Sequence, residues 1–329
     1  MKGVLPGVKM ECAPCPLGCS GGDLVVLTGR DRLHGLPGKF TVVRCRGCGL
    51  LRTDPRPTRA AIGGYYPETY GPHLGPDSPP GDSPAGGRTG WGRHARRVRR
   101  YLLYDMYQFR TELIPDLPPG RMLEFGCGTG AFLRRMEAKG WEVEGLEPSE
   151  RAARMARSCG LNVRTESLET AADPPFPFDL AVGWMALEHL HEPLRGLSNL
   201  WRWVRSGGRL VFSVPNAKSM EFRLFGDAWY ALQLPTHLYH FTPETISLLL
   251  ASSGWRMERV YHQRVLGNLA ASLAFALEDR GLDNRLTRFL AGFPSAGGRL
   301  PYRVYPLASL LAAFGQTGRM TVWARRRDD

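Results

Sequence analysis

The stretch "MLEFGCGTGAF", Met122 to Phe132, constrains the fold of this chain more than any other. An apolar run leads into three glycines at every second position, Gly126, Gly128 and Gly130, and an apolar, helix-compatible segment follows. Glycine adopts the backbone conformations of tight turns, and such a turn leads from a buried parallel strand into a helix whose N-terminus faces a ligand. The segment therefore predicts a strand–turn–helix unit with a ligand-binding turn.

Strand and helix patterns alternate along the chain after Pro118. They predict strands at Arg121–Phe125, Glu142–Glu147, Asn162–Arg164, Phe178–Trp184 and Arg209–Val214, and helices near Thr129–Lys139, Ser149–Ser158 and Glu192–Val204. Such alternation is typical of an α/β fold with a parallel sheet and helices on both faces. A further helix is predicted after Thr242, with Pro243 at its first position, and last strands at Arg256–Tyr261 and Met320–Ala324. Helical patterns between those two strands predict an appended lid.

Charge around the glycine turn indicates which ligand it holds. A phosphate-binding loop needs Lys and then Ser or Thr after its last glycine, where this chain has Ala131 and Phe132. The G-x-G-x-G spacing also departs from the G-x-G-x-x-G of dinucleotide sites. Glu124, at the end of the strand, repels phosphate and attracts a cation, and Glu147 stands where a carboxylate binds two ribose hydroxyls. The two acids together predict S-adenosylmethionine (SAM).

Five of the seven cysteines lie in the first fifty residues: Cys12, Cys15, Cys19, Cys45 and Cys48. The downstream pair has the x2 spacing and the following glycine of a zinc knuckle. Both upstream spacings, x2 and x3, fit the other half of a zinc site. Pro14 removes a backbone donor from the first upstream turn, which favours the set Cys15, Cys19, Cys45 and Cys48. Four thiolates leave no open position on the metal, so the expected zinc is structural.

Composition sets limits on partners and location. The net charge is +12, but only five of the 43 basic residues are Lys, a skew that GC-rich coding produces. Six Arg between Arg88 and Arg100 form a basic stretch, so RNA stays an alternative partner. No apolar run approaches the roughly 20 residues of a membrane span, and the first residues lack the apolar core of a signal peptide. We therefore expect a cytoplasmic protein, of unknown oligomeric state.

The ordered motifs of residues 119–261 resemble those of class I SAM-dependent methyltransferases. They read "LEFGCGTGAF", "VEGLEPS", "FDLAVGWMALEHLHEP", "RSGGRLVFSVPN" and "PTHLYHFTPETISLLLASSGW". A closer resemblance is to bacterial members with an N-terminal zinc ribbon and a "yYP…Y" segment, here Tyr65, Tyr66, Pro67 and Tyr70. The resemblance is specific for the fold and the cofactor, and it does not identify the substrate.

The resemblance implies a set of contacts with SAM. Glu124 would lie near the ammonium group of the methionine part, above the backbone of Gly126, Cys127, Gly128 and Gly130. Glu147 would hold the ribose, although Asp is commoner at that position. The remaining implied contacts are Pro148, Ser149, Ser167 and Leu168 around the adenine, and Trp184 and Met185 facing the sulfonium.

Histidines near the carboxyl ends of the strands are candidates for removing a proton from the methyl acceptor. A His with a pKa near neutrality suits this task. His237 is the favoured base and His240 the second, because both follow the fifth strand on the acceptor side. His189, directly after the fourth strand, is expected at the cofactor rim or in a structural role.

These observations predict a Rossmann-like class I methyltransferase sheet with a zinc ribbon and a C-terminal helical insertion. The expected divisions are a ribbon at 1–58, a linker and basic helix at 59–118, a SAM-binding core at 119–265, a helical lid at 266–317 and a last strand with tail at 318–329. The leading function is methyl transfer to an O, N or C atom of a small molecule. The alternatives are an rRNA or tRNA methyltransferase and a non-catalytic SAM-binding regulator.

Overall fold

The computed structural model describes residues 4–67, 113–295 and 300–327. The predicted linker, the basic helix and Tyr70 lie outside the described residues. The strands are β1 (Met10–Glu11), β2 (Asp23–Gly29), β3 (Phe40–Cys45), β4 (Leu51–Thr53), β5 (Arg56–Pro57), β6 (Arg121–Phe125), β7 (Glu142–Leu146), β8 (Val163–Arg164), β9 (Phe178–Trp184), β10 (Val204–Pro215), β11 (Tyr239–His240), β12 (Trp255–His262) and β13 (Arg319–Arg326). The helices are α1 (Ala131–Glu137), α2 (Glu150–Ser158), α3 (Pro193–Trp203), α4 (Met220–Phe225), α5 (Pro243–Ser252), α6 (Gly267–Glu278), α7 (Arg285–Ala291) and α8 (Leu300–Ala313).

A seven-stranded sheet forms the centre of the molecule, in the order β12-β13-β10-β9-β6-β7-β8. The pairs among β6 to β10 are parallel, whereas β13 runs antiparallel to both β10 and β12. Fully buried apolar side chains such as Leu123, Phe212 and Val322 lie along these strands, since helices cover the sheet. The predicted α/β class is confirmed.

The local signals of the sequence are present at the predicted helix ends. Ser149 caps α2 by accepting a hydrogen bond from the Ala152 N–H. Thr242 caps α5 and forms a reciprocal capping box with Thr245, and Pro243 occupies the first helical turn. Strand β10 begins at Val204, five residues earlier than predicted, with an irregularity before Arg209.

Gly183 in β9 makes room for the ring of Phe125 on the neighbouring strand β6. A β-carbon at Gly183 would lie 2.1 Å from Phe125 Cζ. We expect Gly183→Ala to lower the free energy of unfolding by about 1–3 kcal/mol, because the ring must leave a well-packed position. Urea denaturation measures the loss. In a Phe125→Leu background the same substitution should cost less; an equal cost in both backgrounds would contradict this explanation.

A second sheet joins the cysteine-bearing segment to the rest of the chain. It has four strands in the order β11-β4-β3-β2, and β11 lies far along the chain from the other three. Arg52 pairs with Tyr239 and Leu51 with His240 in antiparallel register. Within the N-terminal segment, β3 pairs antiparallel with both β2 and β4. The N-terminal segment therefore shares a sheet with residues that follow the predicted fifth strand.

The predicted lid contains helices α6, α7 and α8. Ser272 Oγ of α6 accepts a hydrogen bond of 2.8 Å from the Tyr230 N–H, and the rings of Tyr230 and Phe275 stack with centroids 5.9 Å apart. Arg32, after β2, binds both Asp227 at 2.7 Å and Asp279 at 2.8 Å. These contacts fix α6 to the N-terminal segment.

Among the described residues, every helix is too short or too polar to cross a membrane.

Candidate functional site

The glycine turn follows β6 at the carboxyl edge of the central sheet. All three of its glycines have positive φ angles: 68° at Gly126, 53° at Gly128 and 78° at Gly130. A β-carbon at Gly126 would lie 2.8 Å from that of Ala186, and one at Gly130 would lie 2.3 Å from Leu161 Cδ1. Glycine is required here both for the left-handed backbone and for close packing. The turn thus presents bare backbone at the start of α1.

Glu147, directly after β7, is bound to the glycine turn. Its Oε2 accepts a hydrogen bond of 2.8 Å from the Gly128 N–H, and its Oε1 accepts one of 2.8 Å from the Ser149 N–H. Burial raises the pKa of Glu147, and these two N–H groups partly offset the effect. The carboxyl group therefore lies beside the turn, as expected of a ribose ligand at this position.

Glu124 lies beneath the same turn and is 3% exposed. Its Oε2 has no hydrogen-bond partner among the described residues. Burial, and then the charge of Glu147, raise the pKa of Glu124 well above its usual range, with a smaller opposing effect from the Leu133 N–H. A buried carboxyl oxygen without a partner is costly unless a cation or donor binds it. The two acids therefore fit a ligand with a positive end and hydroxyl groups, as SAM has.

The end of β9 faces the glycine turn from the neighbouring strand. The ring of Trp184 packs edge-on against Phe132 of α1, with centroids 5.2 Å apart. Met185 has a φ of 53°, unusual for a residue with a side chain, and its N–H donates to Ser213 O at 3.0 Å. The Trp184 indole N–H is buried without a partner in the described part of the chain. Both predicted sulfonium contacts therefore lie at the same edge as the turn.

Three of the other predicted cofactor contacts use their side chains within the protein. The Cys127 thiol is buried, which raises its pKa, so the thiol is neutral. Ser167 Oγ lies 3.0 Å from Thr170 Oγ1. The Leu168 side chain packs in the main core, and its carbonyl oxygen accepts a hydrogen bond of 2.9 Å from Asn199 Nδ2. These assignments, with Pro148 and Ser149, stay predictions.

A group of four side chains lies just beyond the end of β9, and we call it the histidine cluster: Tyr66, Glu188, His189 and His237. The Tyr66 hydroxyl lies 2.9 Å from His189 Nδ1, and the rings of His189 and His237 are 4.7 Å apart in an edge-on arrangement. His237 Nε2 lies 4.0 Å from Glu188 Oε1. The sequence drew attention to His237 and His189, and to Tyr66 only through the resemblance, but not to Glu188, although "LEH" contains it.

Both histidines proposed as bases are buried. Burial, and then the neighbouring His189 and His240, lower the pKa of His237 well below its usual range. Burial alone lowers the pKa of His240 to about 3, and its Nε2 lies 3.4 Å from Thr53 Oγ1. Both rings are therefore neutral at physiological pH. His240 lies beside Leu51 of β4 in the four-stranded sheet, whereas His237 belongs to the cluster beyond β9.

Four cysteines come together near the N-terminus. The sulfurs of Cys15, Cys19, Cys45 and Cys48 all lie within 4.8 Å of one another. Those of Cys15 and Cys48 are 3.5 Å apart. Four Zn–S bonds of about 2.3 Å in a tetrahedron place sulfurs about 3.8 Å apart, so the group fits zinc. Cys12 is exposed and lies outside the group, as the proline argument predicted.

Several known proteins resemble this chain. A ubiquinone biosynthesis O-methyltransferase from Alkalilimnicola ehrlichii is 32% identical over 145 residues, which are 40% of this chain and 58% of that protein. A malonyl-[acyl-carrier protein] O-methyltransferase from Serratia marcescens is 27% identical over 151 residues, 45% of this chain and 58% of that protein. The chain thus spans less than two thirds of the length of these relatives.

A solved structure and a family model extend the comparison. The structure of a SAM-dependent methyltransferase from Mesorhizobium loti superposes with a TM-score of 0.46 and 20% identity, and covers 67% of this chain and 96% of that one. The family model described as a methyltransferase domain matches residues 95–260, about half of the chain. The chain therefore belongs to the methyltransferase domain family, and its resemblance to the class I enzymes is confirmed.

Proposed function

We propose that this protein transfers a methyl group from SAM to an oxygen, nitrogen or carbon atom of a small molecule. The observation that carries the proposal is the pair of buried carboxyl groups, Glu124 and Glu147, beside a turn of three left-handed glycines. The two relatives are named as a ubiquinone biosynthesis O-methyltransferase and a malonyl-[acyl-carrier protein] O-methyltransferase, which supports a small-molecule acceptor.

In this proposal the residues at the glycine turn hold SAM, whose sulfonium carries the methyl group as an electrophile. Glu124 binds the ammonium group and Glu147 the ribose hydroxyls. The backbone of Gly126, Cys127, Gly128 and Gly130 passes beneath the methionine part, Pro148, Ser149, Ser167 and Leu168 surround the adenine, and Trp184 and Met185 face the sulfonium. Their shared place at the carboxyl edge supports this assignment.

The acceptor is proposed to lie between the end of β9 and the histidine cluster. Much of the rate of such a displacement comes from holding nucleophile and methyl group in line. Hydroxyl and amine acceptors also lose a proton, for which the neutral ring of His237 is the first candidate and His240 the second. The position of Glu188 and His189, within five residues of Trp184, supports an acceptor site here.

The four-cysteine group is proposed to bind a structural zinc ion. The ion would hold the segment between β3 and β4, which is too short to build its own core. Thiolate ligands require a reducing environment, in keeping with the proposed cytoplasmic location.

Labelling with SAM tests the proposed activity. We expect purified protein with radiolabelled SAM to label the small-molecule fraction of host lysate and not its RNA fraction. Glu147→Ala should strongly reduce the labelling at a SAM concentration near that which half-saturates the wild type, whereas Glu258→Gln, on the remote strand β12, should not. Label in RNA would favour the tRNA or rRNA alternative. Binding of adenosylhomocysteine without any labelled product would favour the regulatory alternative, and no binding would overturn the proposal.

A further inference from the structure

We propose that Glu188, His189 and His237 bind a divalent cation at the acceptor side of the site. The inference rests on the proposed methyl transfer and changes one role within it, because His237 becomes a metal ligand instead of a base. One ligand atom from each of the three side chains lies within 4.8 Å of the other two. Two imidazoles and one carboxylate are a known ligand set for divalent transition metals with open coordination positions.

The two histidines are held as metal-binding histidines are. His237 Nδ1 lies 2.9 Å from Ala231 O, and His189 Nδ1 lies 2.9 Å from Thr236 O. A carbonyl oxygen only accepts, so Nδ1 carries a proton in both rings, and Nε2 is the nitrogen that can offer a lone pair to a metal. Donation of the other ring N–H to a backbone carbonyl is the usual outer-shell arrangement of a ligating histidine.

Glu188 supplies the charge that such a site requires. It is completely buried, and neither carboxyl oxygen has a hydrogen-bond partner among the described residues. The charge of Arg319 offsets only a small part of the cost of burying this carboxyl group. A carboxylate in this position is costly unless a cation compensates its charge. The lack of donors distinguishes Glu188 from Glu147, whose two oxygens both accept N–H bonds.

The spacing leaves room for one ion. Two bonds of about 2.1 Å that meet at a tetrahedral angle span about 3.4 Å. The observed distance from His237 Nε2 to Glu188 Oε1 is 4.0 Å, so the two side chains must approach by only about 0.6 Å. His189 is half-buried, whereas Glu188 and His237 are buried, so an acceptor would reach the ion from the side of His189.

An oxygen acceptor on this cation would lose its proton more readily, because a bound cation lowers the pKa of a coordinated hydroxyl. The acceptor O–H bond breaks and the proton leaves to solvent. The freed oxygen lone pair forms the new C–O bond, while the C–S bond of SAM breaks with its electrons going to sulfur. The ligand class is therefore a small molecule with an oxygen atom that can coordinate a metal.

Binding of Co²⁺ tests the site without knowledge of the acceptor. The full chain is dialysed against a chelator until one zinc per chain remains, and Co²⁺ is then titrated by calorimetry and visible absorption. We expect one Co²⁺ per chain, with the weak absorption of nitrogen and oxygen ligands. Glu188→Gln and His237→Ala should each weaken binding at least tenfold. The controls Glu258→Gln and His262→Asn should bind as the wild type does.

Adenosylhomocysteine binding by each variant separates the possible failures. A variant that binds it is folded at the cofactor site, so its loss of Co²⁺ is local. If wild-type protein binds adenosylhomocysteine but no Co²⁺, or if Glu188→Gln binds Co²⁺ as tightly as wild type, the metal site is wrong and the methyltransferase proposal stands. If wild type binds no adenosylhomocysteine, the proposed function itself fails.

Discussion

Glu147→Ala should weaken the binding of adenosylhomocysteine about 100-fold. The substitution removes the acceptor of the Gly128 and Ser149 N–H bonds, both of 2.8 Å, and the proposed partner of the ribose hydroxyls. Hydrogen bonds to a charged group contribute about 1.5–3 kcal/mol each, and about 2.7 kcal/mol corresponds to 100-fold in affinity. Calorimetry measures the change. The matched control is Glu142→Ala at the exposed start of the same strand, which should bind normally.

The pH dependence of binding gives an independent check on Glu124. Its pKa is raised in the ligand-free fold, so folding favours the protonated form, and its contribution to stability is lost as the pH rises through that pKa. A bound ammonium group favours the ionised form instead. The rise in melting temperature on adding adenosylhomocysteine should therefore grow as the pH rises through the same range. Glu124→Gln should show no such growth, and an equal growth in that variant would contradict the assignment.

The elements that the sequence predicted well are those with local signals. The glycine turn, the cap at Thr242 and strands β6 and β9 depend on residues close together in the chain, and the structure has them where they were predicted. The favoured cysteine set also follows from spacing and from one proline. Apart from the meeting of the two cysteine pairs, which lie about 30 residues apart, each of these features is decided within about ten residues.

The features that the sequence did not predict depend on contacts between distant residues. Strand β11 has only two residues, too few for an alternating pattern, and it exists because β4 lies beside it. The Tyr66–His189 contact joins residues 123 positions apart. The burial of Glu188 is likewise set by packing, since a charged residue after a strand is ordinarily expected at the surface. The acceptor side is therefore where the sequence was least informative.

Cys45→Ser should remove zinc and destabilise the N-terminal sheet, with a loss on the order of 3 kcal/mol or more in the free energy of unfolding. Cys45 is the last residue of β3. Its N–H donates a hydrogen bond of 3.0 Å to Leu50 O, just before β4 begins. Without the metal, the turn that places β4 loses its fixed point. Zinc content and thermal unfolding measure the effect. Cys12→Ser is the control, and it should keep one zinc per chain.

Cys45→Ser should affect the histidine cluster more than the glycine turn. Thr53 Oγ1 of β4 donates to His237 O at 2.8 Å, and the Thr53 N–H donates to Leu238 O at 2.9 Å. Zinc loss should therefore disturb the histidine cluster, whereas the glycine turn lies in the other sheet. Methyl transfer should fall much more than affinity for adenosylhomocysteine. Unchanged methyl transfer in the zinc-free variant would refute the coupling through β4. For the ligand set itself, loss of zinc in Cys12→Ser together with retention of zinc in Cys19→Ser would make Cys12 the fourth ligand.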